Sequence, residues 1–195
     1  MDTIDIGGGF PGDTGGYGGD GMPTFQQLAA VIRVDLEHIT ANSTRPLRFI
    51  AEPGRFFASA CTTVVTKVYA SKKTAEVKLL DGRTTPQMQS LYVDDGVYGS
   101  FNNVVYDHYA CALPTVLFAP GSSKPRGVSL QTSVFGPTCD GLDELYVGGE
   151  DTETHMPELQ QDDWLLWENM GAYTHTASFV FNGYDHVPNR RFVRI

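Results

Sequence analysis

Residues 4–9 have the sequence Ile-Asp-Ile-Gly-Gly-Gly, a short apolar strand that runs directly into three glycines. Downstream, the spacing of apolar side chains predicts a helix over residues 25–39, with Thr24 as its N-cap. A second short apolar run over residues 47–51 predicts another strand. The order strand, helix, strand predicts a βαβ unit with two parallel strands. Because the chain opens on a strand, we expect it to be part of something larger.

After residue 55 the pattern changes to short β-branched runs separated by Gly, Pro, Asp and Ser. Strands are predicted at residues 62–69, 75–80, 89–93, 115–118, 128–135, 164–167 and 191–195. This spacing predicts an antiparallel β domain, either a sandwich or an open barrel. We therefore expect an α+β chain with two domains, residues 1–55 and residues 56–195.

Composition excludes several classes of protein. The 195 residues are 41% hydrophobic and 19% charged, which argues against wholesale disorder, and no apolar run is long enough to span a membrane. A net charge of −9 argues against a nucleic-acid partner, because an acidic surface repels the phosphate backbone. The three cysteines, Cys61, Cys111 and Cys139, are too scattered for a disulfide framework or a zinc site, and the five histidines lack metal-ligand spacing. We expect no metal and a reducing, cytoplasmic setting.

Two segments at predicted strand ends carry candidate ligand-binding groups. Glycines after a strand let backbone N–H groups approach a phosphate, although a plain turn has the same composition. Glu52 and Arg55 follow the second predicted strand, where ligand-binding groups gather in α/β folds. The carboxylate could pair with a cationic ring nitrogen and the arginine with a phosphate, or both could belong to a surface turn with an ion pair.

Three further segments place reactive side chains in turns. Asp94 and Asp95 precede an aromatic-rich stretch and could hold an amine, or could form an Asp-Gly turn that caps a helix. Cys139 lies beside Asp140 in a loop with Gly and Pro, where a thiol can donate a proton or can be a small buried apolar group. Tyr173 could donate its hydroxyl to a ligand or pack at a strand–helix corner.

Taken together and in order, these segments are far more specific than any one of them. They are IDIGGGFPG, EPGR, YVDDGVYGSFN, FGPTCDG and WENMGAYT. The set resembles the fold-type III pyridoxal-phosphate (PLP) decarboxylases, and within them the eukaryotic-type ornithine decarboxylases, from residue 4 to the end of the chain. The resemblance implies a PLP-binding (β/α)8 barrel followed by a β domain. This chain would correspond to the last βα units of the barrel and the whole β domain.

The resemblance also implies which residues hold the cofactor. Glu52 matches the carboxylate that pairs with the pyridine nitrogen, and Arg55 matches the arginine that assists phosphate binding. Tyr173 matches a tyrosine that contacts the phosphate. The loop whose amides hold the phosphate is matched by Gly7, Gly8 and Gly9.

For the substrate, the resemblance implies a pocket for a diamino acid. Asp95 and Asp140 match the acids that bind the distal ammonium of L-ornithine, and Phe181 matches a pocket aromatic. Cys139 matches the residue that protonates the substrate carbon after CO2 leaves, which gives putrescine. In the family Cys139 and Asp140 reach into the partner subunit's site, so the resemblance implies a homodimer.

One departure from the family is large. The Schiff-base lysine lies early in the barrel, in a segment that this chain lacks, and the five lysines here have none of the expected context. We therefore expect the chain to be inactive alone, either as part of a full enzyme or as a short paralogue. The alternatives are a catalytically inactive binding protein resembling the antizyme inhibitors and a decarboxylase of lysine or another diamino acid. A regulator resembling antizyme is the expected protein partner.

Overall fold

A computed structural model describes residues 2–12, 23–78, 80–107, 112–121, 129–146 and 155–185. The chain divides into two compact units, one of residues 1–63 with 169–172 and one of residues 64–168 with 173–195. This division reflects compactness and does not test where an independently folding domain begins, so the domain boundary after residue 55 stays a prediction. The strand expected at residues 191–195 lies outside the described residues.

The first unit contains the expected parallel pair of strands. Strand β1, Thr3–Asp5, pairs in parallel with β2, Arg48–Ile50, and helix α1, Phe25–Asn42, connects them. The βαβ prediction is confirmed. Parallel strands place their carboxyl ends at the same edge of the sheet, so the residues that follow β1 and β2 become neighbours.

Helix α1 begins as its sequence predicts. The Thr24 hydroxyl accepts a hydrogen bond from the Gln27 backbone N–H, and the Gln27 side chain accepts one from the Thr24 N–H. This reciprocal capping box satisfies two of the N–H groups that a helix start leaves without partners. The helix continues to Asn42, three residues beyond the expected end, because Ser43 is the first residue to adopt extended backbone.

Beyond β2 the first unit continues through helix α2, Gly54–Ala58, into a 3-10 turn over Ser59–Cys61. The Met170 N–H donates to the Thr62 carbonyl, which ties residues 169–172 to this turn. Gly171 approaches so closely that a Cβ there would overlap the Ala58 carbonyl oxygen. A glycine at position 171 is therefore required by the close approach of two backbone segments.

The second unit is built from nine strands in its described part. They are β3 Val64–Lys73, β4 Val77–Lys78, β5 Thr84–Thr85, β6 Met88–Val93, β7 Thr115–Leu117, β8 Ser129–Phe135, β9 Glu144–Tyr146, β10 His155–Pro157 and β11 Trp164–Trp167. Seven of these described strands form one sheet in the order β10-β8-β6-β3-β11-β7, with β9 also paired to β8. Strands β4 and β5 form a separate hairpin. Helix α3, Asn103–Tyr106, and a 3-10 turn over His175–Ala177 complete the described elements.

The sheet is mixed, so the prediction of an antiparallel sandwich or barrel is wrong in this respect. Strands β6 and β8 run parallel, with Met88 opposite Gln131 and Tyr92 opposite Phe135. A parallel pair needs a crossover connection, and the chain between β6 and β8 supplies one through α3 and β7 at the far edge of the sheet. The expectation assumed that strands adjacent in sequence also pair in space.

The core of this unit follows the two-residue period of its strands. Along β6, Gln89, Leu91 and Val93 are buried while the alternate side chains are partly exposed. Strand β8 is buried at the consecutive residues 130–134, which means that both faces of the sheet are covered there. Three strands were missed in the sequence, namely β5, β9 and β10, because two or three residues are too few to show alternation.

No helix in the described part of the chain is both long and apolar enough to cross a membrane.

Candidate functional site

The three glycines after β1 form a turn that only glycine adopts readily. Gly7 and Gly9 have φ angles of +70° and +81°, in the left-handed region. The Asp5 carboxylate accepts a hydrogen bond of 2.8 Å from the Gly7 N–H and closes the turn. No described residue accepts a hydrogen bond from the N–H of Gly8 or Gly9. Two backbone donors are thus available at this strand end.

The end of β2 lies directly beside this turn. The Glu52 N–H donates to the Gly7 carbonyl at 2.8 Å, and a Cβ on Gly8 would lie only 2.7 Å from the Glu52 carbonyl oxygen. The Glu52 side chain is exposed, whereas Arg55 in α2 is buried, with 7% of its surface accessible. The structure therefore brings the predicted glycines close to the Glu52 backbone within one unit.

These residues suit the phosphate and ring ends of a pyridoxal phosphate. Glycine N–H donors and a nearby arginine can bind a phosphate, and a carboxylate can hold a ring nitrogen in its protonated form. The absence of a side chain at Gly8 lets the glycine turn pack against the end of β2, since a Cβ there would lie 2.7 Å from the Glu52 carbonyl oxygen. The residue types and the glycine turn fit the cofactor.

The second unit contains a cavity of about 280 Å³. None of its lining residues, all of them described, is a lysine, arginine or histidine. Four carboxylates and four aromatic rings line it: Asp94, Asp95, Asp143, Asp185, Tyr98, Phe179, Phe181 and Tyr184. Carboxylates attract an ammonium group, and aromatic faces add a cation–π contribution. The cavity is therefore suited to a cationic, partly aliphatic ligand.

Asp95 lies in a tight turn after β6 and is 6% exposed. Its Oδ1 accepts hydrogen bonds from the Gly96 N–H at 2.8 Å and from the Ser100 N–H at 2.9 Å. Its carboxylate thus organises an Asp-Gly turn but does not cap a helix, since Asn102 is the N-cap of α3, and it also lines the cavity. The Asp-Gly turn and a place in the cavity lining are compatible.

Asp140 accepts a short hydrogen bond from the Tyr98 hydroxyl. This bond, and a second from the Leu142 backbone N–H, lower the pKa of the Asp140 carboxyl. Burial, together with the adjacent Asp140 carboxylate, raises the pKa of Tyr98 to about 12. At neutral pH the pair is therefore an ionised carboxylate held by a protonated phenol.

The Tyr98 ring also stacks on Phe181, with centroids 3.9 Å apart. Phe181 begins a turn in which Asn182 and Gly183 have φ angles of +54° and +81°, and its N–H donates to the Tyr184 carbonyl. Asn-Gly is the sequence signature of such a left-handed turn. The predicted pocket residue Phe181 thus lines the cavity with Tyr98.

Cys139 is exposed, which contradicts the alternative of a small buried thiol. Its Sγ accepts a hydrogen bond of 3.1 Å from the Asn182 side-chain amide. The structure therefore links the Cys139 thiol to the turn that follows Phe181. Tyr173, in the same unit, is 56% exposed and has a φ of +56°.

Sequence reasoning missed three residues of this region. Tyr98, Asn182 and Asp143 are not among the site residues that the sequence predicts. The Asn-Gly pair could have indicated the turn. The role of Asp143 depends on contacts between distant segments, which no local pattern records.

The comparisons with known proteins identify the class. The family model described as pyridoxal-dependent decarboxylase, C-terminal sheet domain, matches residues 29–171. The chain therefore belongs to this family of PLP-dependent decarboxylases. The residues predicted to hold cofactor and substrate remain predictions, because the match concerns the family and not their individual roles.

An antizyme inhibitor and ornithine decarboxylases are among the relatives with curated names. Antizyme inhibitor 2 of Xenopus laevis is 40% identical over 96% of this chain and 38% of its own length. Ornithine decarboxylase of Cricetulus griseus is 37% identical over 95% of this chain and 37% of its own. The chain spans about two fifths of the length of these relatives.

Solved structures of the same class resemble the fold. Lysine/ornithine decarboxylase of Vibrio vulnificus, complexed with putrescine, matches with a TM-score of 0.65 and 27% identity, over 95% of this chain and 42% of that one. Lysine decarboxylase of Selenomonas ruminantium matches with a TM-score of 0.64 and 28% identity, over 96% of this chain and 41% of that one. These neighbours support a sheet domain of the decarboxylase type.

Proposed function

We propose that the chain supplies substrate-binding and proton-donating residues to a PLP-dependent decarboxylase that converts L-ornithine to putrescine and CO2, the entry step of polyamine synthesis. The observation that carries the proposal is the cavity lined by four carboxylates and four aromatic rings, with no cationic residue in its lining. A diamino acid is the ligand class that such a lining favours, because its distal end is an ammonium on an aliphatic chain.

The cofactor proposal rests on the glycine turn and on the end of β2. PLP would be held by the N–H groups of the turn, by Arg55 and by Glu52, with Tyr173 as a phosphate contact that the family resemblance implies. When bound, PLP supplies an electron sink for the carbon that loses CO2. The lysine that would carry it is not among the five in this sequence, which have none of the family context.

The substrate proposal assigns Asp95 and Asp140 to the distal ammonium and Phe181 to the aliphatic chain. Asp140 is ionised at neutral pH, and the hydrogen bond from Tyr98 lowers the pKa of its carboxyl further. Cys139 is the proposed proton donor to the substrate carbon, and its exposed thiol is available to a second subunit. We accordingly propose a homodimer in which Cys139 and Asp140 contribute to the partner's site.

Two other functions have a specific observation in their favour. The 40% identity to an antizyme inhibitor favours a catalytically inactive binding protein. The presence of Glu52, Arg55, Cys139 and Tyr173 argues instead for an active parent. The likeness to a lysine/ornithine decarboxylase favours lysine as a substrate, since the two acids suit either chain length.

We also propose three broader properties of the parent protein. They comprise membership of the βαβ unit in a (β/α)8 barrel, regulation by a protein resembling antizyme, and a cytoplasmic setting. The cytoplasmic proposal is supported by the free thiols of Cys61 and Cys139.

A ligand-binding experiment tests the substrate proposal. Calorimetric titration of the chain should show binding of L-ornithine and of 1,4-diaminobutane, which is putrescine. It should show no binding of L-norvaline, which has the same carbon chain as ornithine but lacks the distal ammonium. Asp95→Asn and Asp140→Asn should each weaken ornithine binding by about tenfold, the scale of one charge-assisted hydrogen bond. Asp81→Asn is the control, because Asp81 is paired with Arg83 on the β4–β5 hairpin. Equal binding of norvaline would contradict the proposal.

A complementation experiment tests the catalytic proposal. The chain would be mixed with mouse ornithine decarboxylase in which the cysteine equivalent to Cys139 is replaced by alanine. If Cys139 enters the partner's site, the heterodimer should regain putrescine formation at the expense of 4-aminobutanal, the product formed when the proton reaches the wrong carbon. General acid catalysis of this kind contributes about 10²–10⁴-fold.

The control for complementation is the same chain with Cys139→Ala, which should not restore putrescine. A heterodimer demonstrated by native mass spectrometry that still forms the aldehyde would exclude Cys139 as the donor.

A further inference from the structure

Asp143 joins two segments that carry the proposed site residues. The Asp95 turn, residues 94–100, follows β6, and the Cys139 loop, residues 136–143, connects β8 to β9. The Asp143 side chain is 1% exposed and lies between them. It is not one of the residues to which the family resemblance assigns a role.

Both oxygens of the Asp143 carboxylate accept hydrogen bonds. Oδ1 accepts from the Val97 N–H at 2.9 Å, which belongs to the Asp95 turn. Oδ2 accepts from the Thr138 N–H at 2.9 Å and from the Thr138 hydroxyl at 2.7 Å, which belong to the Cys139 loop. One buried carboxylate therefore binds both segments at once.

The backbone of Asp143 closes the Cys139 loop as well. Its carbonyl accepts from the Gly136 N–H at 2.8 Å, and its N–H donates to the Asp140 carbonyl at 3.0 Å. Cys139 and Asp140 thus lie inside a loop whose ends meet at Asp143.

Two glycines make room for this carboxylate. A Cβ on Gly96 or on Gly136 would overlap the Asp143 carboxylate, one glycine from each segment. Neither has a left-handed φ, so the requirement for glycine is the space that Asp143 occupies. The close packing fixes the separation of the two segments.

We propose that Asp143 is a positioning residue, which sets the orientation of Cys139 and Asp140 relative to the Asp95 turn. The value of that orientation for catalysis rests on the proposed function. The Tyr98–Asp140 hydrogen bond is a second link between the same segments, and it can form only if the loop is held at this distance. Asparagine at position 143 would retain one acceptor but turn an N–H donor towards the N–H of Val97 or of Thr138.

The test compares Asp143→Asn with Asp163→Asn in the full chain. Asp163 is also 1% exposed and accepts two backbone hydrogen bonds, from Ala119 and from Gln160, but it does not line the cavity. Both variants remove a buried carboxylate from a turn, so both should lower Tm. Only Asp143→Asn should alter the site.

A second pair of variants keeps aspartate at position 143. Gly136→Ala should displace Asp143 by steric overlap, whereas Gly141→Ala in the same loop meets nothing within 4 Å. If Asp143→Asn fails to fold, the same measurements are made on Gly136→Ala and on Thr138→Val, which removes the hydroxyl that donates to Asp143.

Two readouts are measured on each variant. One is the rate of Cys139 alkylation by iodoacetamide, followed by peptide mass spectrometry with Cys61 as the internal reference, and the other is the Kd of 1,4-diaminobutane. Asp143→Asn and Gly136→Ala should change the alkylation rate by about threefold or more and raise Kd by about tenfold. Asp163→Asn and Gly141→Ala should leave both readouts within about twofold.

Equal effects of Asp143→Asn and Asp163→Asn at equal loss of Tm would overturn the proposal, and so would unchanged alkylation in Asp143→Asn and Gly136→Ala. Failure of the unsubstituted chain to bind 1,4-diaminobutane would count against the proposed function alone, because the alkylation comparison needs no ligand.

Discussion

The ionisation of Asp140 is controlled by a single neighbouring side chain. The Tyr98 hydroxyl, followed by the Leu142 backbone N–H, lowers the pKa of the carboxyl. Tyr98 itself, with its pKa raised to about 12 by burial and by Asp140, stays protonated and remains a donor throughout the neutral range. If Asp140 binds the distal ammonium as proposed, diamine affinity falls when acidification protonates its carboxylate.

Tyr98→Phe should therefore shift the pH dependence of diamine binding. Without the phenol donor the pKa of Asp140 rises towards its ordinary value, and affinity for 1,4-diaminobutane should be lost at a higher pH as the solution is acidified. Calorimetric Kd values across an acidic pH series would give the midpoint. Tyr92→Phe is the control, since the Tyr92 ring stacks on Phe135 rather than on a cavity residue. An unchanged midpoint in Tyr98→Phe would show that Tyr98 does not control Asp140.

The same pair makes a pH-dependent contribution to stability. Because the folded pKa of Asp140 is depressed, its contribution is present above the pKa of the unfolded chain and is lost as pH falls through the folded pKa. Tyr98→Phe should weaken that contribution at neutral pH. The free energy of unfolding of the variant should therefore fall less on acidification than that of the unsubstituted chain. Chemical denaturation of the unsubstituted chain and of Tyr98→Phe, at neutral and at acidic pH, would measure this difference in the free energy of unfolding.

At the scale of elements, helix α1 depends on its cap more than on its packing. None of its 18 residues, all of which the structure describes, is buried. Apolar side chains from α1 and from the segments after β1 and β2 line an open groove of about 600 Å³ instead. Little buried area offsets the loss of backbone entropy, so local terms count for more here than in a core helix.

Thr24→Ala should destabilise α1 by about 1 kcal/mol, because it removes the hydroxyl that accepts the Gln27 N–H. Hydrogen exchange of the first-turn amides, measured by NMR, would detect the change. Thr40→Ala is the control within the same helix, since the Thr40 hydroxyl donates only to the Leu36 carbonyl and alanine has the higher helix propensity. Equal effects of the two substitutions would exclude a specific capping contribution.

Protection from hydrogen exchange should differ between elements. Amides of α1 should exchange faster than those of β6 and β8, which lie inside the sheet with buried residues along their length. Exchange followed by mass spectrometry resolves these segments. Equal protection in a proven monomer would contradict the exposure of α1.

At the scale of the whole molecule, the chain alone should not decarboxylate ornithine. The five lysines have none of the sequence context that the family's Schiff-base lysine has, and four of them lie on strands β3 and β4 of the second unit. Incubation with PLP and labelled ornithine should release no CO2 above background. Borohydride reduction followed by peptide mass spectrometry should find no single lysine that carries the cofactor.

Activity of the isolated chain, or stoichiometric attachment of PLP to one lysine, would contradict this prediction. Attachment of PLP at low levels to several lysines is the expected background, because exposed amines react with aldehydes even where the protein has no cofactor-binding site.

The sequence by itself determined the strands and the helix start that short apolar runs and capping residues mark. The apolar runs beside Gly7 and before Glu52 predicted β1 and β2, Thr24 predicted the start of α1, and the residue pattern of 164–167 predicted β11. Periodicity, caps and turn residues act within a few residues along the chain, so they can be detected without knowledge of the fold. The ordered motifs likewise indicated the decarboxylase family, which the family model shows.

Only the tertiary structure decided how these elements meet. The parallel pairing of β6 with β8, the link from Tyr98 to Asp140 and the burial of Asp143 between two loops join residues that are 40 or more positions apart. Such contacts depend on which strands pair and in which register, and many pairings satisfy the same alternation of apolar and polar residues. The sequence by itself therefore determined the residue types of the candidate site. Strand pairing decided which of them share a cavity, because it alone brings distant loops within hydrogen-bonding distance.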